Sequence, residues 1–190
     1  MTTVYVVQTG ETRLEQDQRL QSAAEAPLTE HGQTEVLDAA RELLAHKIKT
    51  VYACTAGEGA RQTAELVAEL LQAKVRDHRD LHEIDYGLWQ GLTTEEIKRR
   101  QPRVYRRWTK APASVRPPEG ETLAEAQHRL KSALKQIVRR HKNGTALLVL
   151  RPVLLGLLKC LAENGALDDL WHHVDPSFRW GCYDVDDQSL

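Results

Sequence analysis

Little in this chain points to covalent cross-links, metal ligation or a membrane. Of 190 residues only three are cysteine, Cys54, Cys160 and Cys182. An odd, widely spaced set matches neither a disulfide framework nor a zinc site, so buried free thiols are expected and no metal or cofactor is implied. No stretch approaches the roughly 18 apolar residues of a membrane span, and Met1-Thr2-Thr3 leads into an apolar run with no basic region before it. A cytoplasmic protein without membrane association is the expectation. Neither sign of charge dominates: 26 Lys and Arg face 27 Asp and Glu, a net charge of −1, so no global field draws the molecule to nucleic acid. Repeats and low-complexity segments are absent, and Asn143-Gly144-Thr145, a glycosylation sequon by pattern, reads as a turn.

What is present is enough for one core. A chain of this length, 41% hydrophobic, can bury roughly 70% of its unfolded surface, which fits a single domain over residues 1–190. Val4-Tyr5-Val6-Val7 is a buried strand by composition. Pro27-Leu28-Thr29-Glu30 starts a helix with Thr29 as cap, carrying Leu37, Ala40, Leu43 and Leu44, and a strand returns over Ile48 to Ala53. Gly57 and Gly59 mark a loop before an amphipathic helix with Leu66, Val67, Leu70 and Leu71. This alternation is the pattern of parallel crossovers. From Asp77 to Glu121 prolines break the pattern into short helices, a lid-like insertion over one end of the sheet. A long helix over Thr122 to Lys142, an apolar strand over Thr145 to Leu150, a helix opened by Pro152 and a last strand within Phe178 to Val185 complete the chain.

Several ordered pieces carry a family resemblance: Val4 to Thr12, Pro27 to Gly32, Arg61 to Glu65, Leu81 to Gly91, Pro118 to Thr122 and Leu147 to Arg151. In that order and spacing the chain resembles the histidine phosphatase superfamily, the phosphoglycerate mutase-like fold. The resemblance implies a three-layer αβα, doubly wound and mostly parallel sheet, with the insertion over the strand ends and a phosphoryl pocket at their carboxyl ends. It also implies a nucleophilic histidine and an arginine after the first strand, an arginine opening the second long helix, a second histidine after the strand preceding the last long helix, and a glutamate in the insertion as proton donor.

Carried onto this sequence, those positions fall on Thr9, Gln8, Gly59, Arg151 and Glu83, of which only Glu83 has the family identity. Arg61 stands two residues past Gly59 as a possible anion ligand. Thr9 can serve as a nucleophile only with a base, and neither Gln8 nor Arg151 accepts a proton at neutral pH. Glu83 reads either as the acid or as a carboxylate held by backbone amides. Arg151 reads either as a small-anion holder or as an ion-pair partner of Glu83. His31 and His82 read as surface side chains, and the adjacent His172-His173 would diverge on a regular helix or strand rather than chelate a metal.

Lys98, Arg99, Arg100, Arg103, Arg106, Arg107 and Lys110, with Tyr105 and Trp108, form a basic strip. Such a strip either contacts phosphate backbones or is a solvated lid face whose aromatics pack inward; the second reading is preferred, so nucleic acid is not an expected partner. Trp171, Phe178 and Trp180 fill the core or line a homodimer interface. The changed pocket leads to the expectation of a catalytically inactive phosphatase-like protein that binds a small anion or a partner protein. The alternative is an active phosphomonoesterase with a rearranged site using Thr9 and Glu83.

Overall fold

The computed structural model describes residues 1–21 and 26–186. The chain runs through β1 (Thr2–Gln8), α1 (Arg13–Gln16), α2 (Glu30–Glu42), β2 (Thr50–Ala53), α3 (Glu58–Leu71) and β3 (Lys74–Asp77). The insertion contributes α4 (Thr94–Arg100) and α5 (Pro102–Lys110). Then follow α6 (Leu123–Arg140), β4 (Thr145–Leu150), α7 (Pro152–Ala162), α8 (Leu170–His173) and β5 (Trp180–Val185). The strands form one sheet in the order β3-β2-β4-β1-β5, parallel except for β5, which runs antiparallel to β1. The expected doubly wound α/β architecture forms.

Strand alternation divides the apolar residues between two layers. Val4, Val6, Ala146, Leu148 and Leu150 face α6, α7 and the insertion. Tyr5, Val7, Leu147 and Val149 face α2 and α3. Every residue expected on the apolar face of α6, from Leu123 through Ile137, is buried. In α2 the buried stripe is Val36, Ala39 and Ala40, continued by Leu43, whereas Leu44 is 56% exposed: the helix gives way to a tighter turn at Leu43, which rotates Leu44 outward.

Three local expectations need correction. The charged strand β3, Lys74–Asp77, was not foreseen, because an edge strand with one exposed face has no apolar run. Gly59 lies in the first turn of α3 rather than in a loop. Cys182 is exposed on the edge strand β5, while Cys54 and Cys160 are buried thiols.

The insertion has its own aromatic core. Trp108 meets Trp89 and Trp171 edge to face, with ring centroids 5.8 and 5.3 Å apart. The Trp171 indole donates to the Trp108 carbonyl at 2.7 Å. The indole of the basic strip is therefore inside, and the cations of α4 and α5 are on the surface. Among the described residues no helix is long and apolar enough to cross a membrane.

Candidate functional site at the strand ends

β1 and β4 are neighbours in register to Gln8↔Leu150, so the residues that follow them, Thr9 and Arg151, emerge side by side at the carboxyl end of the sheet. The Thr9 amide donates to the Leu150 carbonyl at 2.9 Å, extending the ladder by one step. Thr9 and Arg151 are each 6% exposed. Within the described residues, the Thr9 hydroxyl, the Gln8 side-chain oxygen and Arg151 Nε are buried without a hydrogen-bond partner. Buried polar atoms in this condition are rare and mark strain, chemistry or a ligand site.

Glu83 is 3% exposed and sits on the amino end of α7. Its Oε1 accepts the amides of Ile84 at 2.8 Å and Leu154 at 2.9 Å, and Oε2 accepts Val153 at 2.9 Å. Pro152, at the first position of α7, has no amide to offer, and the next two amides go to this carboxylate. Burial pushes the Glu83 carboxyl above its usual range, against the opposing pull of Arg151 and the three amides. Oε2 carries a single amide contact and keeps room for a proton.

The Glu83 segment is held from behind by Arg129 on α6. Its Nη1 donates to the carbonyls of Asp80 at 2.8 Å and His82 at 2.7 Å, and its Nη2 to the Glu83 carbonyl at 3.2 Å. Nη2 and Nε grip the Glu121 carboxylate at 2.6 and 3.1 Å, and Glu121 also accepts the Asp85 amide at 2.8 Å. Both side chains are mostly buried.

Arg151 does not pair with Glu83. Its Nη2 donates to Glu15 at 2.9 Å and to Gln21 at 3.0 Å. Arg61 is directed along α3 to Glu65, with Nη1 at 3.0 Å, and lies 3.9 Å from Glu58. Arg61, expected as a possible anion ligand, stands in these helical ion pairs. His31 pairs with Glu35 on the surface of α2, as a surface side chain should. His82 is half-buried beside Glu83, and its Nδ1 lies 2.7 Å from the Glu83 carbonyl. Sequence reasoning missed Glu15, Gln21, Arg129 and Glu121. The pattern Thr12-x-x-Glu15, a capping box, was the one legible signal among them.

Gly59 is a packing requirement in this chain. A Cβ there would stand 2.5 Å from the Thr12 methyl and 3.3 Å from the Ala26 carbonyl. Thr63 ties the same corner, donating to the Gly59 carbonyl at 2.8 Å and accepting the Gly10 amide at 3.2 Å. Gly59→Ala is expected to cost about 1–3 kcal/mol in urea unfolding, and Thr12→Ser, which removes the opposing methyl, to recover most of that loss in the double variant.

Two recesses open at the strand ends. Glu83, Arg151, His82, Cys54 and Gly57 line one of about 20 Å³, which shares Cys54, Ala56 and His82 with a cleft of about 520 Å³ bordered by Asp77, Arg79 and Asp85. Gln8 and Thr9 line another of about 20 Å³ against α2, with Val36, Phe178 and Arg179. Glu83 and Arg151 are therefore brought together in one recess, and Gln8 and Thr9 in the next.

Residues 4–186 match the histidine phosphatase superfamily (branch 1), and the chain belongs to that family. It is 29% identical over 153 residues to Phosphoserine phosphatase 1 of Hydrogenobacter thermophilus, covering 80% of this chain and 72% of that protein. It is 27% identical over 158 residues to a Klebsiella pneumoniae protein named Probable phosphoglycerate mutase GpmB, with coverage of 83% and 73%. Among solved structures, Bacillus stearothermophilus YhfR superimposes with a TM-score of 0.90 at 30% identity, over 98% of this chain and 92% of that one. These relatives overturn the expectation of a catalytically inactive protein: proteins similar over most of the chain are named as a phosphatase and a mutase.

Proposed function

We propose that the protein is a phosphomonoesterase whose site is rearranged around Arg151, Glu83 and Thr9. The observation that carries this reading is the pair of buried, unpartnered polar atoms, Thr9 Oγ1 and Arg151 Nε, on residues adjoining at the ends of β1 and β4. Arg151 holds the phosphoryl oxygens. Thr9 Oγ1 attacks phosphorus, and its proton passes to a non-bridging oxygen of the ester, a group that ionises near neutral pH. The bond from phosphorus to the leaving oxygen breaks, and that oxygen takes the proton of Glu83. Water then attacks the phosphothreonine and gives its proton to the Glu83 carboxylate. Phosphate leaves as Thr9 recovers its hydroxyl proton.

The test is turnover of an aryl and an alkyl phosphate by the purified chain, with Glu83→Gln and Thr9→Ala beside it. No turnover of either ester by the wild-type chain would end the enzyme reading. A specific observation favours a second route: Thr9 and Glu83 line different recesses. Full activity in Thr9→Ala with none in Glu83→Gln would make water the nucleophile in a single displacement.

The Glu83 carboxyl must be protonated to donate, and burial raises its pKa. The protonated fraction is complete below that raised value and falls as pH climbs through it. Turnover of the alkyl ester is therefore expected to decline on the alkaline side of a pH profile. The aryl ester, whose leaving group needs little protonation, is expected to show a shallower decline.

A further inference from the structure

Arg151 is underused by its partners. The Nε and Nη2 hydrogens of a guanidinium lie parallel along one edge, a fork that matches two oxygens of a phosphate. Nη2 donates to Glu15 Oε1 at 2.9 Å and to Gln21 Oε1 at 3.0 Å, and Nε has no partner within the described residues. The other carboxylate oxygen of Glu15 is held within α1: Oε2 accepts the Thr12 amide at 2.9 Å and lies 3.0 Å from the Thr12 hydroxyl. That hydroxyl also lies 2.7 Å from Gln21 Oε1, so its single proton serves one acceptor at a time. Glu15 thus has two tasks, capping a four-residue helix and neutralising a buried guanidinium 136 residues away in sequence.

We propose that Glu15 is the affinity-determining residue of the site: its carboxylate stands in for a phosphoryl group on Arg151, and an incoming phosphate must displace it to use the Nε–Nη2 edge. The inference rests on the reading of Arg151 as the phosphoryl holder. It concerns binding, however, so it is tested without turnover. A monodentate carboxylate should yield to a bidentate anion, and its negative charge weakens every anion that approaches. Removing that charge while keeping the shape should strengthen binding.

Glu15→Gln does this, since glutamine also serves at that capping position. Inorganic phosphate is titrated at constant ionic strength into the full chain and into Glu15→Gln, reading the Arg151 Nε–H resonance. The dissociation constant is expected to fall by about tenfold or more in Glu15→Gln. In wild type, the carboxyl carbon of labelled Glu15 is expected to shift along the same phosphate isotherm as Arg151 Nε–H, which keeps the proposal testable if the variant does not fold. Equal or weaker binding by Glu15→Gln overturns the proposal. So does a Glu15 carbon that stays fixed while Arg151 responds, or a lack of response at both. Absent turnover alongside tighter binding by Glu15→Gln would sink the enzyme reading and leave this one standing.

Discussion

Thr9→Ala is expected to lower kcat on a phosphate monoester by about 10³ or more, while affinity for inorganic phosphate stays within about threefold. The size follows from deleting the attacking atom. The selectivity follows from the surroundings of Thr9. Its hydroxyl makes no hydrogen bond among the described residues, and its fixed contact, the amide to Leu150, belongs to the backbone. Alanine keeps that bond and removes a buried hydroxyl that has no partner among the described residues, so thermal stability should hold or rise slightly. A residue important only for structure would show the reverse, a lower melting temperature with proportionate loss on every substrate. Thr9→Ser keeps the hydroxyl and should retain measurable turnover, with denaturation followed in parallel for all three proteins.

The fold was legible because each level of the sequence agreed with the next. Val4 to Val7 and Thr145 to Leu150 are apolar enough to be central strands, and the face of α6 is continuous from Leu123 to Ile137. The site was legible only in part. Thr9 and Arg151, fixed by strand ends, and Glu83, in the insertion, could be located by counting along motifs. Their partners could not, because Arg151 meets Glu15 across 136 residues and Arg129 meets the carbonyl of Glu83 across 46. A sequence shows that a histidine position holds arginine. It does not show that a carboxylate elsewhere neutralises that arginine, nor that Gly59 is boxed in by the Thr12 methyl. Reading each change in isolation therefore made the pocket look dismantled, while the folded chain has built a different set of contacts in the same place.

Arg129→Ala should be the most destabilising single change near the site, and its effect on chemistry should be selective. The guanidinium joins α6 to four groups of the insertion: the carbonyls of Asp80, His82 and Glu83, and the carboxylate of Glu121. Truncation leaves a mostly buried Glu121 without its cation and removes a donor from the carbonyls of Asp80, His82 and Glu83. A loss of about 3 kcal/mol or more is expected, read as a lower urea midpoint at unchanged slope. Arg61→Ala, which breaks an exposed helical pair, should scarcely move that midpoint. The chemical signature separates positioning from general damage. With Arg129 gone, the Glu83 segment loses its support and the carboxyl no longer meets the leaving oxygen in register. Turnover of an alkyl phosphate, which depends on that proton, should then fall much further than turnover of an aryl phosphate under conditions where the variant is folded. Equal losses on both esters would assign Arg129 to stability alone. Arg129→Lys, which keeps the charge but not the five-donor geometry, should recover part of the midpoint and little of the alkyl ester activity.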